Sequence, residues 1–333
     1  MNETAQHLIV GLLEDVQSII PQKIIGKEEV CRQFLQYPKT NRVNVGFDIV
    51  ANKLTNIKCY IGARTDCSDE FTYDLCEKFQ AETPEGLQDL ARMVFNPAAF
   101  CLTENSFSLL EQHYIPLSFS RNVIAARLNA MPISEVEIFV KSVFELGGLD
   151  AQYIHSQDLT NIIINNNGTK KHPVYIFGVN RNSTGGFDEI KLYYDMYQYD
   201  KFDDVYAHND FAVATNTGAA LTEHIDDQRM KSLFPKLVEH FLRVDGILAI
   251  FGVNYRVDRT KVYKFYFTDG NEEIKDRRGF MSELHRIVFG EEMSEDNLNI
   301  LQLALKHGFS PAEMCIATDG KNAMMKTYFS SAY

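Results

Sequence analysis

Four lysine–x–tyrosine tripeptides recur along the chain, and their residue types suit the binding of an anion beside an aromatic surface. They are Lys58-Cys59-Tyr60, Lys191-Leu192-Tyr193, Lys264-Phe265-Tyr266 and Lys326-Thr327-Tyr328. Successive side chains of a strand point to opposite faces, so the lysine and the tyrosine of each tripeptide share a face. A single copy most often marks a solvated strand, but four copies in equivalent positions favour a shared interior.

Lysines that converge inside a protein require a polyanion, because an unpaired buried charge is costly. Diphosphate is the obvious small polyanion for several cationic side chains. Tyrosine rings about 6.5 to 7 Å further along the strand would stabilise a cation through their negative faces. The pattern therefore predicts ionisation of an allylic diphosphate, with the diphosphate held by the lysines and the allylic cation shielded from water by the tyrosines.

The tripeptides belong to a repeated β-hairpin. Residues 177–195 and 251–269 both begin Phe-Gly-Val-Asn, turn, and return through Lys-x-Tyr, and residues 45–61 fit the same template. The glycine precedes the lysine by 12 or 13 residues in these three copies. That glycine either relieves crowding in a coiled strand or clears space for a substrate. Antiparallel strands are predicted, with the Gly, Asn and Lys-x-Tyr face towards a common centre.

Two further copies are weaker. Residues 313–329 keep Lys326 and Tyr328 without the glycine, and residues 114–130 place Arg127 where the other copies have lysine. The five basic positions are 62 to 73 residues apart, which indicates one hairpin in each of five units. These positions are Lys58, Arg127, Lys191, Lys264 and Lys326.

Amphipathic segments lie between the hairpins. Ser134 and Glu137 indicate a capping box before apolar positions at helical spacing. Residues 230–246 and 297–308 are similarly amphipathic, and each ends on a glycine, as helices often do. Residues 84–95 and the first 20 residues also indicate helices, so the predicted unit is helix, strand, turn, strand.

Five such units predict an α+β fold, a closed barrel of about ten antiparallel strands surrounded by helices. A barrel of this size leaves room for a ligand at its centre. Because each unit buries its face only against its neighbours, a single domain over residues 1–333 is predicted. Residues 164–168 and 179–186 are predicted to be loops.

Composition excludes several classes of function. The net charge of −12 argues against a general nucleic-acid surface. The six cysteines have no metal-ligand spacing and are predicted to be reduced and mostly buried. No apolar run approaches the roughly 18 residues of a membrane span, and the N-terminus lacks a basic signal region, so a cytoplasmic protein is expected. No Gly-rich phosphate loop or serine nucleophile elbow is present.

The repeated helix–hairpin unit with inward basic and tyrosine residues resembles the aromatic prenyltransferases of the ABBA, or PT-barrel, family. The resemblance covers roughly residues 40 to 330 and depends on the repetition, since that family has no strong consensus motif. It implies transfer of a dimethylallyl or geranyl group from its diphosphate to an electron-rich aromatic ring by electrophilic substitution. The expected acceptor is an indole or phenol natural product.

The resemblance also implies roles for residues of this sequence. The five basic residues would bind the diphosphate, and a tyrosine shield would cover the allylic cation. The basic residues are Lys58, Arg127, Lys191, Lys264 and Lys326, and the shield is Tyr60, Tyr193, Tyr266 and Tyr328.

The aromatic ring must also lose a proton, which calls for a base. Asp48 shares a face with Gly46, and Asp195 continues the face of Lys191 and Tyr193, so these two aspartates are the candidate catalytic carboxylates. No DDxxD motif is present, so no metal site is assigned and no cofactor is expected to be required, although Mg²⁺ is possible because some members of the family use it.

Two alternatives stay open. A peptide acceptor, as in the cyanobactin-type members, is disfavoured because those members tend to have a glutamate about where Asn44 lies. A non-catalytic barrel could instead bind a lipid or aromatic phosphate, although such a carrier does not need four tyrosines beside its cations.

Overall fold

The computed structural model describes residues 2–24, 42–65, 101–109, 120–124, 132–167, 172–181, 187–196, 211–268 and 276–332. The predicted hairpin strand around Arg127 and the predicted helix at residues 84–95 lie outside these ranges.

The described strands are all antiparallel to their neighbours, as predicted. Their order is β1-β10-β9-β8-β7-β6-β5-β4-β3-β2, and because β1 pairs with both β10 and β2, the sheet closes into a barrel. The strands are β1 Arg42–Val50, β2 Lys53–Thr65, β3 Cys101–Ser108, β4 Ser120–Ile124, β5 Val174–Arg181, β6 Phe187–Asp195, β7 Ile247–Arg256, β8 Lys261–Thr268, β9 Ser310–Thr318 and β10 Ala323–Ala332.

Within the described residues, helices precede hairpins β1–β2, β5–β6, β7–β8 and β9–β10, and before the last three they come in pairs. The described helices are α1 Asn2–Gln17, α2 Ile133–Leu146, α3 Asp150–Asn167, α4 Phe211–His224, α5 Gln228–Leu242, α6 Arg277–Phe289 and α7 Glu295–Lys306. The prediction of one helix per unit is therefore wrong for the hairpins β5–β6, β7–β8 and β9–β10, each of which follows two helices.

Aromatic packing shows which barrel face meets the helices. Phe265 and Phe267 of β8 contact Phe234 and Phe241 of α5, with ring centroids 4.8 and 4.2 Å apart respectively. All four rings are buried. Since side chains alternate along β8, Lys264 and Tyr266 lie on the opposite face from these phenylalanines and point towards the barrel axis.

Several local predictions were wrong. The second hairpin pairs β3 with β4 and spans residues 101–124 instead of 114–130, because the polar β3 carries no alternating apolar signal. Ser134 lies inside α2, whose N-cap is Pro132 without a side-chain hydrogen bond, so the predicted capping box does not form. Helix α5 ends at Leu242 with Arg243 as its C-cap. The helix was expected to end on Gly246, four residues later.

The predicted loop at residues 164–168 is also wrong, because α3 continues to Asn167. The Asn167 side chain is buried and donates a hydrogen bond of 3.0 Å to the carbonyl of Met196. This contact supplies the polar partner that lets an asparagine-rich sequence end a packed helix.

Hydrogen bonds attach the β1–β2 turn, at the seam where the barrel closes, to α6 and to the segment that follows it. The Asn52 backbone N–H donates to His285 Nε2 at 3.2 Å, and its side-chain Oδ1 accepts from the Ser294 backbone N–H at 2.7 Å. His285 Nδ1 lies 2.7 Å from the Glu291 carbonyl oxygen. These bonds hold the first hairpin against the segment between α6 and α7.

Among the described helices, none combines the length and apolar character needed to cross a membrane.

Candidate active site

The lysines of the four Lys-x-Tyr tripeptides lie on the inner side of the barrel wall. Lys264 is 4% exposed, Lys191 7% and Lys326 8%, while the side chain of Lys58 is 27% exposed. Lys264 of β8 lies 5.3 Å from the ring centroid of Tyr193 on β6, across the intervening strand β7. A contact of this kind is possible only on the concave face. We call these four residues the lysine belt; the fifth predicted basic residue, Arg127, is outside the described part of the chain.

Asp48 of β1 joins two members of the belt. Its Oδ2 lies 3.0 Å from Lys58 Nζ and 3.4 Å from Lys326 Nζ. Burial raises the pKa of this carboxyl, but the two ammonium groups outweigh that effect and hold the pKa below its ordinary value. Asp48 Oδ1 is buried and accepts no hydrogen bond from any residue that the structure describes. The aspartate is therefore an ionised internal counter-ion of the belt.

Glu189 is a second carboxylate beside the lysine belt, and it was not predicted from the sequence. Asn254 donates from Nδ2 to Glu189 Oε1 at 2.7 Å, and its Oδ1 accepts a short hydrogen bond from Lys264 Nζ. Arg256 Nε also lies 3.2 Å from Glu189 Oε1. Burial raises the pKa of Glu189, but Lys191, Lys264 and Arg256 together lower it below its ordinary value. Period-two alternation from Lys191 was the signal that could have located this residue.

Positive charge is concentrated around the belt. Within the described residues, its four lysines and Arg256 lie near the carboxylates of Asp48 and Glu189. Burial and the nearby Lys326 hold the pKa of Lys264 well below its ordinary value. Burial lowers the pKa of Lys326 too, but Asp48 more than offsets this and leaves it raised. The belt is thus arranged to gain from an added anion.

The four tyrosines of the tripeptides form a continuous row of rings. Ring centroids are 5.9 Å apart for Tyr193 and Tyr266, 6.1 Å for Tyr266 and Tyr328, and 5.8 Å for Tyr328 and Tyr60. Burial raises the pKa of Tyr266 and Tyr328 well above the ordinary value, so both stay neutral phenols. This tyrosine row follows the lysine belt by two residues on every contributing strand, so it lies towards one end of the barrel.

The two predicted catalytic aspartates occupy different ends of this arrangement. Asp48 pairs in register with Lys326, whereas Tyr328 pairs with Gly46. Asp195 is half-buried and lies two residues beyond Tyr193 on β6. Asp48 is therefore on the lysine side of the site and Asp195 on the tyrosine side.

Cys315 of β9 is a further interior residue that sequence reasoning did not assign to the site. It pairs in register with Lys326 on one side and Tyr266 on the other. Its thiol is free and buried, as predicted for the cysteines, and burial raises its pKa to about 11. Within the described residues, no group of three or more His, Cys, Asp or Glu side chains could hold a metal ion.

The fold is similar to that of solved structures of other proteins. The 5-dimethylallyltryptophan synthase of Streptomyces coelicolor matches with a TM-score of 0.52 and 11% identity over 86% of this chain and 80% of its own. This likeness shows that the two chains share a fold.

Two other structures match with lower TM-scores. Prenyltransferase PriB, in a ternary complex with L-tryptophan and dimethylallyl thiolodiphosphate, has a TM-score of 0.45, 9% identity and coverage of 87% and 79%. The 6-dimethylallyltryptophan synthase of Micromonospora olivasterospora, in complex with DMASPP and Trp, has a TM-score of 0.46, 13% identity and coverage of 86% and 81%. No protein-family model matches the sequence, and no curated protein matches it either.

Proposed function

We propose that this chain is an aromatic prenyltransferase that moves a dimethylallyl or geranyl group from its diphosphate to an electron-rich aromatic ring, with an indole or a phenol as acceptor. The observation that carries this proposal is the tyrosine row beside the lysine belt inside one barrel. The fold shared with a dimethylallyltryptophan synthase supports the same reading.

The proposed reaction begins with ionisation of the donor. The carbon–oxygen bond to the diphosphate breaks, the electron pair leaves with the diphosphate, and the lysine belt neutralises the developing charge. The allylic cation then lies against the faces of the tyrosine row, which attract it and exclude water. Lys264 lies where the belt meets the tyrosine row, 5.3 Å from the Tyr193 ring.

The acceptor ring attacks the cation and then loses a proton to a base. Of the two candidate aspartates, we assign the proton transfer to Asp195, because it continues the strand beyond the tyrosine row where the acceptor ring would lie. Asp48 contacts two lysines, and we assign it the task of an internal counter-ion that stabilises Lys58 and Lys326 before the donor binds.

Binding of a donor analogue tests the first half of the proposal. Calorimetric titration with geranyl S-thiolodiphosphate, which ionises poorly, is expected to show micromolar affinity for the unaltered protein. The double variant Lys191→Ala/Lys264→Ala is expected to lose that affinity. A matched double variant at two exposed lysines, Lys141→Ala/Lys236→Ala, controls for net charge and is expected to bind normally.

Absence of binding by the unaltered protein would overturn the proposal. Equal loss in both double variants would mean that total charge, and not the belt, attracts the analogue. Binding followed by no transfer to any indole, phenol or peptide would instead support a non-catalytic barrel.

A further inference from the structure

Two glycines lie in the wall between the lysine belt and the tyrosine row. Gly46 of β1 pairs with Lys58 on one neighbouring strand and with Tyr328 on the other. Gly252 of β7 pairs in the same way with Lys264 and Tyr193. The two hairpins thus place a glycine in the same position relative to a lysine and a tyrosine.

Each glycine is covered by two rings of the tyrosine row. A Cβ added at Gly46 would lie 3.1 Å from Cε1 of Tyr328 and 3.3 Å from Cε2 of Tyr60. A Cβ added at Gly252 would lie 3.2 Å from Cδ1 of Tyr193 and 3.4 Å from Cε2 of Tyr266. The four rings therefore rest in pairs on bare backbone, where a side chain would push them inwards.

Backbone conformation does not explain these glycines. Among the described glycines, those with positive φ are Gly148, Gly290, Gly308 and Gly320. Gly46 and Gly252 are extended strand residues, a conformation that any L-amino acid adopts. Glycine inside a strand weakens the sheet unless close approach of another group requires it. The close approach here is that of the tyrosine rings.

We propose that Gly46 and Gly252 are positioning residues that hold the tyrosine row back against the barrel wall. They set the distance between the rings and the carbon that ionises, and they set the width of the cavity at that level. This inference rests on the proposed prenyl transfer and adds two residues that touch neither the diphosphate nor the acceptor. The glycines act only through the rings.

Alanine at either position is expected to separate binding from ionisation. The added methyl group displaces the ring by a few tenths of an ångström but leaves the belt in place. In Gly252→Ala, release of diphosphate from geranyl diphosphate is expected to fall on the order of tenfold, because small misplacements of a stabilising group weaken catalysis strongly. The affinity for geranyl S-thiolodiphosphate is expected to change by less than about twofold, since the lysines provide it.

A double-mutant cycle distinguishes positioning through the ring from a general effect on the strand. In a Tyr193→Ala background, Gly252→Ala is expected to change diphosphate release by less than about twofold, because the more crowded ring is already gone and Tyr266, at 3.4 Å, accommodates the methyl group at an ordinary contact distance. Additive losses would overturn the inference, and so would unchanged release in Gly252→Ala alone. Gly46→Ala with Tyr328→Ala repeats the cycle in the first hairpin if the Gly252 variant does not fold.

Failure of the proposed function has a different signature. In that case the unaltered protein would fail to bind the thiolodiphosphate, or would bind it and release no diphosphate from geranyl diphosphate. The glycine inference fails when the unaltered protein does both and either the glycine variants match it or their losses add to those of the tyrosine variants.

Discussion

Asp48→Asn is the substitution that separates stability from ligand binding most clearly. The change keeps the shape of the side chain and removes one buried negative charge that contacts Lys58 at 3.0 Å and Lys326 at 3.4 Å. Each contact corresponds to about 5 kcal/mol of gross attraction at an effective dielectric constant of about 20. Desolvation offsets most of this, and breaking a buried pair costs about 3 to 5 kcal/mol net.

We therefore expect the free energy of unfolding to fall by about 3 kcal/mol, since the amide oxygen still accepts a hydrogen bond. The affinity of the site for an anion should instead increase, because the variant lacks a carboxylate that repels a bound anion. Affinity for inorganic diphosphate is expected to rise about tenfold or more, equivalent to at least about 1.4 kcal/mol. Diphosphate should consequently restore more stability to the variant than to the unaltered protein.

Urea unfolding with and without inorganic diphosphate measures both effects, and Glu223→Gln, at an exposed position of α4, is the matched control. The pKa of Asp48 is lowered in the folded protein, so its stabilising effect is present above the ordinary value of 3.8 and is lost as the pH falls through the folded value. The difference between the two proteins should therefore persist at neutral pH and shrink only in acid. A variant as stable as the unaltered protein at pH 7, or one that binds diphosphate more weakly, would refute the role of Asp48 as an internal counter-ion.

The remaining predictions concern the belt and the barrel seam. Because the pKa of Lys264 is held low by burial and by Lys326, this lysine loses its proton at a lower pH than an ordinary lysine, so affinity for the thiolodiphosphate should weaken as the pH rises from 7 to 9. Lys264→Arg, which stays charged, should flatten that dependence in calorimetry, and an unchanged slope would assign the titration to another group. Asn254→Leu should remove the hydrogen-bonded link between Lys264 and Glu189 and lower the affinity for the thiolodiphosphate roughly tenfold. An unchanged affinity would contradict this expectation. His285→Ala should lower the free energy of unfolding by about 2 kcal/mol, because the Asn52 N–H loses its acceptor, and equal denaturation midpoints would contradict this.

Repetition allowed the inward face of the strands to be predicted from sequence. The Lys-x-Tyr tripeptides fix a face, a spacing and a direction along each strand, and the structure places all four lysines and all four tyrosines on that face. Alternation on β7 was also predicted correctly, with Phe251 outside the barrel and Gly252 inside. A repeated pattern predicts which face points inwards, because equivalent strands of one barrel pack against their neighbours in the same way.

Other features depend on contacts that no local pattern encodes. Helix α3 is polar and weakly amphipathic, and its Asn167 side chain is satisfied by Met196, 29 residues away, and by Thr217, 50 residues away. Glu189 lies outside the repeated tripeptide, and its role depends on Asn254 and Lys264 from two other strands. Strand β3 has neither alternating apolar residues nor a repeated tripeptide, so its pairing with β2 and β4 was not predicted.

Product analysis tests the central claim most directly. The protein is incubated with dimethylallyl or geranyl diphosphate and a panel of indoles, phenols and tyrosine- or tryptophan-containing peptides, and the products are identified by mass spectrometry. The account predicts an acceptor that gains one prenyl group with release of one diphosphate, and loss of this product in Lys191→Ala/Lys264→Ala. Donor binding without a prenylated product or diphosphate release, with every acceptor class and both donors, would contradict it.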